Sequence, residues 1–421
     1  MKMKIQPRLN IMSLISSITA LLLVLNCQSV FQNARDTNYH IYELCFLFIM
    51  GESVLLVSKS GISRKNKKNW ELYSFIYLFI IFIYTLFSVQ FGDLLRFLSR
   101  FLVFPFALLH FMSSSSDGNK YKLFKYFVDW TAIISLITSL FWFLSSFMGL
   151  GPTSEFVWKW SGDVYGLSYY NLYFSSPYQY IDLIPGLVMR RNIGIFTEGP
   201  MFMLVLSFAL LFYYMFNNIF EIQIWKIISI LVAMVTTFSV TGYIIVITII
   251  ALKIISNSKR FKNKIIISFA VLSVGLIAAV GVIEMKSSSA SYLVRMDDFS
   301  TGMRAFLSNP ILGIGYENTS TLRSFMSSSR SFNMGFSNTL FAILAYGGII
   351  LTVIYLFPIC VGLKKSYTRN DKMVFLFCVL YLLLYCTVIY YTFFINFILW
   401  GFLLFYSTNR VQLDKSNNFF K

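Results

Sequence analysis

Apolar stretches of about 17–25 residues return along the whole of this chain, each long enough to cross a bilayer core of ~30 Å. That recurrence constrains the fold more than any motif. The chain has 421 residues, of which 57% are hydrophobic and only 13% charged, too apolar for a soluble domain of this length. The expected class is an all-α polytopic membrane protein forming one integral membrane domain over 1–421. About twelve spans are placed, at 9–27, 40–58, 70–90, 93–112, 126–148, 193–216, 223–238, 240–256, 265–284, 336–357, 373–391 and 392–408. The run from Gln223 to Ile255 is divided because its centre is polar: Thr236, Thr237, Ser239, Thr241 and Gly242. Lys226 and Lys253 mark both of its ends as cytoplasmic, which a pair of helices satisfies and a single helix does not. Each arm is about 16 residues, or ~24 Å, so the turn should sit in a cavity or a thinned outer region.

The net charge of +17 raises the question of nucleic acid. The cations are scattered over short loops, so they read as topology markers and no nucleic-acid partner is expected. With both termini cytoplasmic, roughly 24 Lys and Arg fall inside and about nine outside. The basic start MKMKIQPR leads into an uncleaved first helix. Cys27, Cys45, Cys360, Cys378 and Cys386 form no CxxC or zinc spacing, so no disulfide framework, metal or cofactor is expected.

Two long outer loops remain, 149–192 and 285–335. Their cations are mostly arginine: Arg190, Arg191, Arg295, Arg304, Arg323 and Arg330, with Arg35 on the same side, against Lys159 and Lys286. Topology needs only positive charge, whereas Arg suits bidentate recognition of phosphate or carboxylate. The loops therefore read as an anion-binding surface; contact with anionic lipid is the plainer explanation. The first loop is rich in Trp and Tyr, from Trp158 to Tyr180, either as interface anchors or as stacking platforms for sugars. The second holds an amphipathic stretch with Arg295, Asp297, Asp298, Phe299, Met303, Arg304, Phe306 and Leu307, stopping at Asn309-Pro310 before a GIGY turn. In the fourth span Asp93, Arg96 and Arg100 share one face, as a structural pair or as ligand-binding cations. Glu43 and Glu52 are alternative partners, with Glu52 expected to reach cytoplasmic water.

Three segments, RRNIGIFTEGPMF from Arg190, SYLVRMDDFSTGMRAFLSNPILGIGYENT and GFSNTLFAILAYGGIILTVIYLFPI, together resemble the O-antigen polymerase/ligase superfamily, of the Wzy polysaccharide-polymerase type. TFSVTGYIIVI adds a fourth similarity, a Ser/Thr-Gly break in an apolar run. These segments cover roughly a third of the chain. The resemblance implies a GT-C-like helical bundle in a bacterial cytoplasmic membrane. It implies a metal-independent glycosyltransferase that moves a growing glycan from undecaprenyl diphosphate onto a lipid-linked repeat unit at the outer face. Its partners would be those donor and acceptor lipids, membrane lipid, and a flippase and chain-length regulator of the same pathway.

On this reading Glu198, Arg191 and Arg304 are the catalytic candidates. Arg190, Arg295, Arg96, Arg100, Asn338, Ser337, Gly313 and Gly315 are the substrate-binding ones. Ligases of the family place a histidine where this chain has Ser337, and neither His40 nor His110 matches a family motif. Glu198 is the substitute base, with Asp297 or Asp298 behind it; its rival role is an ion pair with Arg190 or Arg191. A lipid-linked oligosaccharide flippase and a ligase are the alternative functions. The long Arg-rich loops favour an enzyme over a flippase, and the missing histidine counts against a ligase.

Overall fold

A computed structural model describes residues 11–160, 162–184, 187–257, 290–328, 330 and 336–409. Helices α1 (Ile11–Leu25), α2 (Ile41–Ser60), α3 (Arg64–Ser88), α4 (Leu94–Phe101), α5 (Val103–Met112), the single turn α6 (Asp117–Lys120) and α7 (Lys122–Phe147) form the first half. After the first long loop come α8 (Gly199–Phe220), α9 (Ile224–Thr236) and α10 (Val240–Asn257). The last third holds α11 (Ala290–Ser308), α12 (Thr319–Phe325), α13 (Thr339–Arg369), α14 (Lys372–Thr387) and α15 (Phe394–Thr408). Among the described residues, six helical segments are long and apolar enough to cross a membrane: α2, α3, Phe91–Met112, Gly118–Phe147, α8 and α13. Shorter apolar helices are α1, α9, α14 and α15. The expected span at 265–284 lies outside the described residues. The chain is thus a membrane-embedded, mostly helical protein.

Local chemistry sets the helix ends. Ser63 accepts from Asn66 N–H at 3.2 Å and starts α3 earlier than hydropathy alone suggests. Asp371 accepts from the N–H groups of Met373 and Val374 and starts α14. The polar interruption after α9 is real: Phe238 turns to φ 50° between α9 and α10. Helix α8 is the most enclosed span, with 83% of its apolar window buried, between α7, α9, α10 and α14. By contrast, α3 and α7 turn Phe75, Phe79, Phe82, Leu136 and Leu140 outward, as a lipid-facing surface requires.

The all-α expectation needs correction in the first long loop. Residues 149–192 contain a three-stranded antiparallel sheet of β1 (Ser154–Lys159), β2 (Asp163–Tyr169) and β3 (Tyr173–Ser175), and a two-stranded pair of β4 (Tyr180–Ile184) and β5 (Leu187–Arg190). The loop aromatics lack a helical register because their period is that of a strand. Trp158, Tyr169, Tyr173 and Phe174 are buried, while Tyr165, Tyr170, Tyr178 and Tyr180 are exposed. Trp158 lies across Gly166, where an added Cβ would sit 2.2 Å from the ring. Trp158 and Phe174 pack into the main core and Tyr169 and Tyr173 into a smaller one with Trp142, so the exposed aromatics and the half-buried Trp160 remain to meet a ligand.

The second long loop plugs a broken helix. Helix α13 is interrupted at Gly348, with φ 54° and ψ −150°. Residues 310–314 run against this break. Ile314 N–H donates to Ala345 C=O at 2.9 Å, and Ile349 N–H donates to Pro310 C=O at 2.8 Å. Backbone groups freed within a span are thereby paired with protein. Gly313 (φ 69°) and Gly348 face each other so closely that a Cβ on either would meet backbone atoms at 2.5–2.6 Å. Gly313→Ala and Gly348→Ala each impose a left-handed backbone on a residue with a Cβ, a cost of about 1–3 kcal/mol before the clash is counted. Both variants are expected to lower the melting temperature of the detergent-purified protein by several degrees. Gly151→Ala, at a site with open space, is the control and should melt as wild type.

Candidate functional site

The two arginines of the Arg190-Arg191 pair point to different partners. Arg190 ends β5, and consecutive residues of an extended chain face opposite sides. Arg190 donates to the Tyr169 hydroxyl at 2.9 Å, toward the sheet layer. Arg191 turns the other way and donates through Nε to Thr237 C=O at 2.9 Å, at the break between α9 and α10. Asn192 follows it there, its N–H donating to Thr236 C=O and its Nδ2 to Thr236 Oγ1, both at 2.9 Å. The arginine loop thus satisfies the carbonyls that the Ser/Thr-Gly break exposes.

Glu198 stands directly before α8, in extended backbone at φ −158°. The Trp160 side chain lies near its carboxyl and favours the charged form. Gly199 allows the Arg191 guanidinium to approach: a Cβ there would sit 3.1 Å from it. Arg191 and Arg295 both act on Glu198 through space. Among the described residues neither makes a direct ion pair with it, so the rival ion-pair role does not hold in that form. Burial raises the Glu198 pKa above the ordinary carboxylate value, while Arg191, Trp160 and Arg295 pull it back. Burial also lowers the Arg191 pKa, with Glu198 opposing and Arg295 reinforcing. Glu198 keeps partial solvent access within this crowd. Two guanidiniums against one carboxyl leave a net positive charge at the N-terminal end of α8.

The other candidates separate into different places. Arg304 is nine residues beyond Arg295 on α11, about 13 Å along the axis and on the opposite face. It is 55% exposed and 3.9 Å from Asp297, so it is corrected from catalytic residue to surface cation. Asp297 and Asp298 are also corrected: Arg330 reaches Asp298 at 2.6 Å and Asp297 at 3.1 Å. Asp298 is fully buried and accepts the Ser337 N–H at 2.7 Å. A carboxylate so occupied does not serve as a base. The buried face of α11 holds Val294, Asp298, Thr301 and Ala305, whereas Met303 and Leu307 lie exposed. Ser337 and Asn338 start α13: Asn338 Oδ1 accepts from Phe341 N–H, while its Nδ2 has no partner among the described residues. Gly313 serves the helix break, Gly315 (φ 99°) lies against Ser88 C=O, and both line a cavity with Ser308, Asn309 and Asn318.

Arg100 is committed elsewhere. Glu317 accepts from it at 2.6 Å and the Tyr316 hydroxyl at 2.5 Å, under the Tyr42 ring. Arg96 stays exposed, 3.7 Å from Asp93 and 3.9 Å from Glu317. Neither Glu43 nor Glu52 partners them: Glu43 is 3.8 Å from His40, and Glu52 is buried, accepting from Ser16 at 2.5 Å rather than reaching water. The signal missed in the sequence was Glu317, directly after GIGY; an arginine inside a span needs a carboxylate, and this one was in reach once the loop folded inward. His110 is buried with Nε2 2.9 Å from Lys120 C=O, and His40 is exposed, so neither joins Glu198.

Arg330→Ala leaves two carboxylates facing an empty position, one of them fully buried, which should cost about 3–5 kcal/mol. Replacing the whole buried set, with Asp297→Asn and Asp298→Asn added to Arg330→Met, should recover much of that loss. Thermal melting of the purified variants measures both. Comparison with protein-family models, with curated proteins and with solved structures finds no match.

Proposed function

We propose that this chain is a metal-independent polysaccharide polymerase of the outer membrane face, with Glu198 as its base and Arg191 and Arg295 as its anion-binding cations. The single observation that carries the reading is the placement of Glu198 at the start of α8, with the Arg191 guanidinium packed over Gly199 beside it and no direct ion pair to it among the described residues. Acceptor hydroxyls are poor nucleophiles and need a base whose pKa lies toward the working pH. A diphosphate leaving group gathers negative charge as its bond breaks, and preorganised guanidiniums stabilise that charge. In the proposed step the acceptor hydroxyl oxygen bonds to the anomeric carbon of the growing glycan. Its proton passes to Glu198, and undecaprenyl diphosphate leaves with the electron pair of the broken C–O bond. The positive residual charge between Arg191 and Arg295 suits that leaving group.

About twelve spans, cytoplasmic termini and an outer placement of both long loops complete the proposal. A membrane-impermeant maleimide should label Tyr165→Cys in intact cells, and Lys65→Cys only after lysis; the reverse pattern would put the site on the wrong side. A deletion strain should display single repeat units. Loss of every unit would indicate a flippase, and long polymer held on the lipid carrier a ligase.

Purified protein supplied with a defined lipid-linked repeat unit tests the residues. Glu198→Gln should slow polymerisation about 100- to 10,000-fold, and Arg295→Ala should cost far more than Arg304→Ala. The acid limb of the wild-type pH–rate profile should lie above that of an exposed glutamate, because the group must lose its proton to act and burial delays that loss. Normal chain lengths in Glu198→Gln would sink the assignment.

A further inference from the structure

A cavity of about 270 Å³ lies beside the Glu198 site, lined by Gln28, Asn33, Lys159, Trp160, Gly162 and Asp163. It joins the site at two points. Trp160 lines the cavity and also lies near the Glu198 carboxyl. Gln28 lines it and accepts the Thr197 N–H, one residue before Glu198, at 3.0 Å. The walls come from distant parts of the chain: the segment after α1 and the turn between β1 and β2. The bridge between Ala34 and Trp158, and the Arg35–Asp163 ion pair at 3.0 Å, hold these parts together.

The wall chemistry is specific. Asn33 Nδ2 donates to Gln28 Oε1 at 2.5 Å, which orients both amides. That bond consumes one donor and one acceptor and leaves Gln28 Nε2 and Asn33 Oδ1 for a ligand. Thr197 Oγ1 is buried with no partner, next to the carboxyl. Oriented amides, a carboxylate, an ammonium and an indole face are groups that match ring hydroxyls and the apolar face of a pyranose. Arg35 already neutralises Asp163, so one cation and no uncompensated anion remain in the wall. The volume is just below the range of ordinary small-ligand pockets. It suits a terminal sugar or a short saccharide end, not a whole repeat unit or a lipid diphosphate.

We infer that this cavity is a saccharide subsite that seats the terminal sugar of the acceptor, with the indole of Trp160 as its platform and the Gln28–Asn33 amide pair as its hydroxyl reader. The inference rests on the proposed role of Glu198 for the word acceptor. Sugar binding itself stands apart from that role. Trp160 then couples the two events: the ring packs on an indole that also neighbours the base, so one side chain stands beside both the sugar and the carboxyl.

The test is saturation-transfer NMR on the full chain in detergent. The probes are methyl glycosides of four classes: hexoses, 6-deoxyhexoses, N-acetylhexosamines and hexuronic acids. Wild type should bind at least one class saturably, in the millimolar range expected for single sugars. Asn33→Leu and Trp160→Ala should weaken that binding at least fivefold. Trp160→Phe, which keeps a flat ring and loses the N–H, should weaken it less than threefold while slowing polymerisation. Glu198→Gln should bind as wild type. Unchanged melting and gel-filtration behaviour is required of each variant. Asn33→Asp, which keeps the size and reverses the donor, replaces Asn33→Leu should that variant fail to fold. Failure of all four classes to bind wild type, or wild-type binding by the Asn33 variant, overturns the subsite. Intact sugar binding with normal polymerisation by Glu198→Gln would instead remove the base and leave the subsite standing.

Discussion

Backbone carbonyls freed at a break in an apolar helix must find donors, and in this protein both long loops supply them. Arg191 and Asn192 meet the carbonyls between α9 and α10. At the break in α13 the Ile314 N–H meets the Ala345 carbonyl, and the Pro310 and Ile311 carbonyls in turn accept the freed N–H groups of Ile349 and Ile350. Water is scarce at membrane depth, so an unmade bond there costs its full desolvation penalty. Each loop is therefore held inward by the helices it covers. The arginines at its edge gain fixed positions as a consequence.

That constraint explains the division of labour among the charged groups. Where a guanidinium is buried and a carboxylate is in reach, the two close on each other: Arg100 with Glu317, and Arg330 with Asp298 and Asp297. Such pairs lock the long-loop segments to the helices and have little left for a ligand. Arg191 differs because its Nε bonds to a neutral backbone carbonyl, which leaves its charge uncompensated. Beside it Glu198 lacks a direct ion pair among the described residues and keeps partial solvent access. Among the described residues, no direct ion pair spends the charge of Glu198 or Arg191.

The sheet layer of the first loop adds a second support. Its buried aromatics anchor it at two places, Trp158 and Phe174 in the main core and Tyr169 and Tyr173 against Trp142. The turn after β1 carries Trp160 to Glu198, and the end of β5 carries Arg190 and Arg191 in opposite directions. Without that layer the indole, the cation and the carboxyl would sit on a long flexible connection and lose their mutual placement.

Hydropathy runs, lysine placement and turn residues were enough to read the apolar helices, the break near Thr237 and the stop at Asn309-Pro310, because these depend on neighbours in the chain. They were also enough to single out Glu198 and the arginine pair, since charge at the mouth of an apolar run is visible locally. The strands of 149–192 were missed because their aromatic alternation was judged against a helical period. The partners of Arg100, Arg330 and Glu52 were beyond reach for another reason: an ion pair between residues 217 positions apart, such as Arg100 and Glu317, leaves no local trace. The sequence by itself determined a membrane-embedded helical chain with two arginine-bearing loops. Only the tertiary structure decided which charges are spent on one another and which stay free, because that depends on distances that folding alone creates.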